Sequence, residues 1–183
     1  MSKGRMMRES GFTLIELLIT LVIVAIALVL GMPSYYTWIA NSRVRVAAES
    51  IQNGLQLARA EAVSRNATVQ VVVAADSGWT LGCTNVSATC PAVIETRAAS
   101  EGSSGTTVAV SNASAANTVY FGGFGGSVTA AATPGPARVD IDVDSSVLSQ
   151  AQSRELRVSV FQNGSTRMCD PALGGADPRR CVN

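Results

Sequence analysis

Histidine is absent from the 183 residues, and lysine occurs once, at Lys3. Without histidine there is no Ser-His-Asp relay, no Cys-His pair and no imidazole ligand for a metal. Charge is scarce as well, at 15% of the chain, where a soluble domain carries roughly 25%. The 14 bases and 13 acids leave a formal net charge of +1. That balance excludes a strongly basic nucleic-acid protein and an acidic tail. Aromatic residues are 5% of the chain, whereas hydrophobic residues reach 47% and the mean hydropathy is +0.26. The length suits one domain or slightly more, so an apolar excess must be concentrated somewhere.

It lies in residues 12–32, FTLIELLITLVIVAIALVLGM, which hold a single charge, Glu16. At 1.5 Å per residue a helix of that length reaches about 30 Å, the thickness of a bilayer core. Lys3, Arg5 and Arg8 precede it against Glu9 alone. The positive-inside rule therefore leaves the N-terminus in the cytoplasm and sends the rest across. A secretory signal peptide also begins with basic residues and an apolar run. Its run is usually about 7–15 residues, however, and ends at a small-residue cleavage site that is not clear here. A carboxylate inside a membrane span costs on the order of 2.5–3.5 kcal/mol on insertion scales, so it usually has a partner and a function. A Glu16 that merely reaches back to headgroups would explain its tolerance but not its neighbours.

Those neighbours are Gly11-Phe12-Thr13-Leu14-Ile15-Glu16, behind a short basic leader. The combination resembles the class III signal of type IV prepilins and of the pseudopilins of type II secretion. The resemblance implies that a prepilin peptidase cuts between Gly11 and Phe12 on the cytoplasmic side and then N-methylates Phe12. Pro33 matches the proline that such chains often carry 22 residues into the mature sequence. Glu16 would meet the Phe12 amine of a neighbouring subunit in the assembled filament. An ion pair in an apolar medium makes an unpaired charge costly, and so favours correct axial register. Loss of residues 1–11 leaves 11 bases and 12 acids over 172 residues, a net charge of −1.

Pro33 removes a backbone donor and predicts a kink. Beyond it Val44, Ala47, Ile51, Leu55, Ala58 and Ala62 recur at helical spacing, one apolar stripe of an amphipathic helix. A free coiled coil would use the same stripe, but its small alanines suit close packing on a sheet. Helix is thus expected over 12–65, with about half in the membrane. Asn66 ends it, and strands are predicted at 68–73, 79–81, 92–97, 106–110, 118–121, 138–143, 154–161 and 165–169. The first two read as a hairpin through Asp76-Ser77-Gly78, the last two as a hairpin through Asn163-Gly164. Residues 98–117 and 122–137 are rich in small and turn residues and read as long loops.

The layout is similar to the GspH/FimT group of minor pilins and pseudopilins. The residues that carry this are Leu57-Ala58-Arg59-Ala60-Glu61-Ala62-Val63 with Arg65-Asn66, the first strand, Gly78-Trp79, and Val160-Phe161-Gln162-Asn163-Gly164. The expected fold is α+β and pilin-like: a long N-terminal helix, transmembrane then amphipathic, packed on an antiparallel β-rich periplasmic head. The resemblance implies two sheets in that head. The segments are a cleaved leader over 1–11, a transmembrane helix over 12–32, an amphipathic helix over 33–65 and the head over 66–183.

Four smaller constellations remain. Cys83, Cys90, Cys169 and Cys181 would be oxidised in a periplasmic head. Three pairings are possible, of which the local one, 83 with 90 and 169 with 181, closes short loops and needs the fewest assumptions. Zinc is the weaker alternative, because the spacings are not those of paired Cys-x-x-Cys ligands. Asp140, Asp142 and Asp144 alternate like the start of a calcium loop but lack its Gly at position six and its Glu at position twelve, and read as a solvated sheet face. Gly122-Gly123-Phe124-Gly125-Gly126 matches no phosphate-loop pattern and reads as a flexible hairpin loop. Arg167, Arg179 and Arg180 form a small basic group able to contact phosphates. Some members of the resembled group bind DNA through an arginine-containing tail, but Asp-Pro-Arg-Arg-Cys differs from that Gly-Arg-x-Arg pattern, and Asp170 and Asp177 dilute the charge. Two or three phosphate contacts give only weak, salt-sensitive binding.

The sequence therefore reads as a non-catalytic minor type IV pilin that helps initiate or cap a pilus in the inner membrane. The alternatives are a type II secretion pseudopilin and a DNA-binding competence pilin. Expected partners are other minor and major pilins or pseudopilins, the prepilin peptidase and the inner-membrane assembly platform. No cofactor or metal is expected.

Overall fold

The computed structural model describes residues 12–112, 117–129 and 135–181. The expected leader over 1–11, with Gly11 of the expected cleavage site, lies outside them. The chain divides into two units, residues 1–36 and 37–183, and one helix, α1, contributes to both.

Helix α1 spans Leu14–Arg65. Thr13 caps it: the Thr13 hydroxyl accepts the Glu16 N–H at 3.3 Å, and the Thr13 carbonyl accepts the Leu17 N–H at 3.2 Å. This Thr-x-x-Glu start satisfies donors that would otherwise be orphaned, and it sets the first helical residue at Leu14 instead of the expected Phe12. The helix continues through Pro33. In the first unit its apolar side chains are exposed.

In the second unit α1 buries the predicted stripe completely: Val44, Ala47, Ile51, Leu55, Ala58 and Ala62 all have zero exposure. The end at Arg65 has a physical cause. Asn66 takes φ +46°, its N–H donates to the Val63 carbonyl, and the Ala67 N–H donates to the Ala62 carbonyl. These two bonds satisfy two of the last four carbonyls, and asparagine tolerates the left-handed turn better than most side chains.

Among the described residues nine strands follow: β1 Val69–Val73, β2 Trp79–Cys83, β3 Glu95–Arg97, β4 Thr106–Asn112, β5 Thr118–Phe121, β6 Ser127–Val128, β7 Ala137–Val143, β8 Leu156–Val160 and β9 Thr166–Cys169. They form two antiparallel sheets, ordered β3-β2-β1-β5-β6 and β4-β7-β8-β9. In the first, the register sets Val73 opposite Trp79, Val71 opposite Leu81 and Val69 opposite Cys83, all buried. In the second, Val139, Ile141, Val158 and Val160 are buried while Arg138, Asp140 and Asp142 alternate outward. The period-two pattern thus gives each sheet one apolar face, and those faces share a single core with the α1 stripe.

Three contacts fix how these layers dock. Trp79, 5% exposed, donates its indole N–H to Ser50 Oγ at 3.0 Å. Its ring fills the space at Gly54, where a Cβ would stand 3.0 Å from it. A second contact joins the sheets through buried hydroxyls: Thr106 donates to the Ser103 carbonyl at 2.6 Å, and Ser77 in the β1–β2 turn donates to Ser103 Oγ at 2.8 Å. The third is backbone against backbone. Gly164, at φ +76° in the β8–β9 turn, lies so close to Gly125 that a Cβ there would sit 1.8 Å from the Gly125 carbonyl oxygen. The Ser127 N–H donates to the Gln162 carbonyl alongside.

Several boundaries differ from the sequence reading. The stretch 122–137 is not one loop: residues 122–126 turn between β5 and β6, and β7 begins at Ala137. Likewise β4 runs to Asn112, inside the predicted loop 98–117. The predicted strand 92–97 shortens to Glu95–Arg97, because the chain bulges before it: the Cys83 N–H bonds to the Pro91 carbonyl and the Ile94 N–H to the Leu81 carbonyl, out of step with the β2–β3 ladder. Strand 154–161 contracts to Leu156–Val160, where the Arg154 N–H is drawn instead to Asn41 Oδ1 at 2.8 Å.

Candidate functional site

The first functional feature is the start of α1. Phe12 is 81% exposed, and Glu16 stands in the first helical turn. Behind it the apolar stretch of the helix is exposed along its length. A core helix of a soluble domain would bury such a face. Among the described residues nothing covers this one, and by length and composition it is able to cross a bilayer. The role of Thr13 as cap escaped the sequence reading, although Thr13-x-x-Glu16 is a recognisable start signal.

A second feature is the C-terminal segment. Cys169 bonds to Cys181 with Cα atoms 4.9 Å apart, and Cys83 bonds to Cys90 at 5.6 Å. Both bonds link nearest neighbours in sequence. The loop between Cys169 and Cys181 folds back onto β9: the Asp170 N–H donates to the Arg179 carbonyl at 2.9 Å, and Arg167 Nη2 donates to the Pro178 carbonyl at 2.6 Å. This brings Arg167 to the segment that holds Arg179 and Arg180. The three arginines are not equivalent. Arg179 is engaged with Asp177, Nη2 to Oδ2 at 3.0 Å and Nε to Oδ1 at 3.2 Å. That guanidinium holds the Asp177 carboxyl below its ordinary range, and Asp177 in turn raises Arg179. Arg167 is committed to a carbonyl, which leaves Arg180 as the member with no side-chain bond among the described residues. The sequence reading saw the diluting aspartates but not this pairing, which the i,i+2 spacing alone does not dictate.

Asp140, Asp142 and Asp144 do not converge. Asp140 is paired with Arg157 across β7 and β8, Asp142 accepts the Val143 N–H, and Asp144 accepts the Ser146 N–H and hydroxyl. The Ser146 bonds hold the Asp144 carboxyl below its usual range. Glu155 is pushed up, first by its partial burial and then by the Asp140 charge. No group of three metal-ligating side chains occurs among the described residues. The glycine loop at 122–126 is indeed a hairpin turn, whose glycines admit the Gly164 backbone and the Arg59 side chain; Arg59 Nε donates to the Gly125 carbonyl at 3.0 Å.

An exposed apolar helix that continues into the core of a two-sheet head is the plan of a pilin-like filament subunit, a minor pilin or pseudopilin. Comparison with known families agrees: residues 6–32 match the prokaryotic N-terminal methylation motif, and residues 47–171 match the type II transport protein GspH. The chain belongs to the GspH family. Among solved structures, the type IV minor pilin FimU of Pseudomonas aeruginosa superposes with a TM-score of 0.52 at 17% identity, over 74% of this chain and 94% of its own. The minor pseudopilin EpsH of the Vibrio cholerae type 2 secretion system gives 0.48 at 14% identity, over 72% and 99%. A comparison with curated proteins finds no match.

Proposed function

We propose that this chain is a non-catalytic minor pilin that helps initiate or cap a type IV pilus. The observation that carries the proposal is the continuity of α1, from an exposed apolar stretch with Glu16 in its first turn to a stripe seated in the core of the head. In this reading the peptidase removes residues 1–11 and methylates Phe12, and the subunit waits in the inner membrane. Its N-terminus is cytoplasmic and its head periplasmic, a compartment in which two disulfides persist. Assembly then exchanges lipid around residues 12–32 for the helices of other pilins, with Glu16 paired to a neighbour's Phe12 amine.

The family description favours one further reading, a pseudopilin of type II secretion. Deleting the gene and scoring both machines separates the two. The expected result is loss of surface pili with unchanged secretion of exported enzymes. Lost secretion with normal piliation would transfer the subunit to the secretion machine.

DNA capture by the tail is the least supported reading, because Asp177 already occupies Arg179. Labelled duplex titrated at low salt with the full-length, detergent-solubilised chain should show no saturable binding at roughly micromolar protein. A few phosphate contacts supply little affinity, and salt erodes it steeply. Micromolar binding that vanishes on joint Arg179→Ala and Arg180→Ala substitution would reverse the conclusion, because exposed arginine changes rarely unfold a domain.

A further inference from the structure

Charge is absent from α1 between Glu16 and Arg43, yet apolar character does not fill that whole interval. Just past the apolar stretch, two of the three tyrosines and one of the two tryptophans of the chain fall within four residues: Tyr35, Tyr36 and Trp38. All three are exposed, at 59%, 63% and 65%, and the two tyrosine rings meet edge-on at 6.4 Å between centroids. At about 100° per residue they spread over about 160° of the helix circumference, wider than a stripe made for one packing partner. Trp79, by contrast, is sunk in the head against Ser50.

Their height along the helix is specific. Tyr35 lies about 34 Å and Trp38 about 39 Å beyond Phe12 at 1.5 Å per residue. The hydrocarbon core is about 30 Å thick, and about 40–45 Å with its headgroup layers. With Phe12 at the cytoplasmic edge of the hydrocarbon and the helix tilted by about 20°, Tyr35 and Trp38 stand about 32 and 37 Å up the membrane normal, inside the opposite headgroup layer, where amphipathic rings of tyrosine and tryptophan are enriched. We propose that Tyr35, Tyr36 and Trp38 form a lipid-binding collar that seats the unassembled subunit in the headgroup layer of the periplasmic leaflet. The collar limits how far Glu16 can move along the membrane normal, because both lie on the same helix. This inference rests on the membrane-anchored reading of α1.

The test uses the full chain in phosphatidylethanolamine–phosphatidylglycerol vesicles whose acyl chains carry bromine either near the headgroup or near the methyl end. Tryptophan emission should fall with headgroup-proximal bromine and much less with methyl-end bromine. The loss should equal the share of emission that Trp38→Phe removes, with buried Trp79 as the unquenched remainder. Stronger quenching from the methyl end, or equal weak quenching from both in chains that float with the vesicles, would place Trp38 in the hydrocarbon or against protein and overturn the collar. Chains that fail to float would overturn the anchored reading itself, and the collar with it.

Discussion

Glu16→Val is expected to enter the membrane at least as well as the natural chain and yet to be missing from sheared filaments. Insertion improves because a carboxylate at that depth costs on the order of 2.5–3.5 kcal/mol on insertion scales. The start of the helix survives, since Thr13 is bonded to the Glu16 backbone N–H and not to its side chain. What disappears is the proposed partner for a neighbouring Phe12 amine. Stranding one charge of an apolar pair costs about 3–5 kcal/mol, which is over about a hundredfold in incorporation. The check is an immunoblot of filaments against membranes, in a strain whose only copy is the variant. Intact mass completes it: the natural chain should lack residues 1–11 and carry one methyl on Phe12, and the variant should still be cut but poorly incorporated or poorly methylated. Normal piliation by Glu16→Val would remove the proposed ion pair.

The second large effect is on the head. Trp79→Ala should cost about 3–5 kcal/mol, a large part of the roughly 5–15 kcal/mol that holds a domain together. The ring is 5% exposed and fills the space that Gly54 leaves against α1, so its loss opens a cavity between helix and sheet. It also leaves the buried Ser50 hydroxyl without the indole donor it accepts. Trp79→Phe keeps most of the volume and loses only that bond, at about 1–2 kcal/mol. Urea unfolding of the solubilised chain, followed by the near-ultraviolet dichroism of the head, reads both. A Trp79→Ala midpoint within about 1 kcal/mol of the natural protein would show that the ring is not the bolt between these layers.

Much of this architecture can be read from residue spacing, and the exceptions share a cause. The α1 stripe was legible because burial there repeats at the helical period from Val44 to Ala62. Strands such as β1 and β7 announce themselves by alternation. By contrast β6 is two residues long and has no period to detect, and the bulge ahead of β3 depends on which carbonyl Cys83 meets across the sheet. The site behaves the same way. Glu16, Phe12 and the four cysteines stand out by type and position. Which cysteines bond requires Cα proximity, however, and the pairing of Arg179 with Asp177 requires a turn that spacing does not specify. Long-range partners such as Ser50 and Trp79 leave no local trace at all.

The near-collision of Gly125 and Gly164 has a consequence for how the head can change over time. Two hairpin turns, one from each sheet, meet there backbone to backbone, with the Arg59 side chain beside them. Neither turn can drift alone: a residue inserted in either, or any Cβ at Gly164, forces the other sheet to move. Sequence variation in this head should therefore be spent elsewhere, on the outward faces of the sheets and on the segment between Cys169 and Cys181, while these two turns change together or not at all.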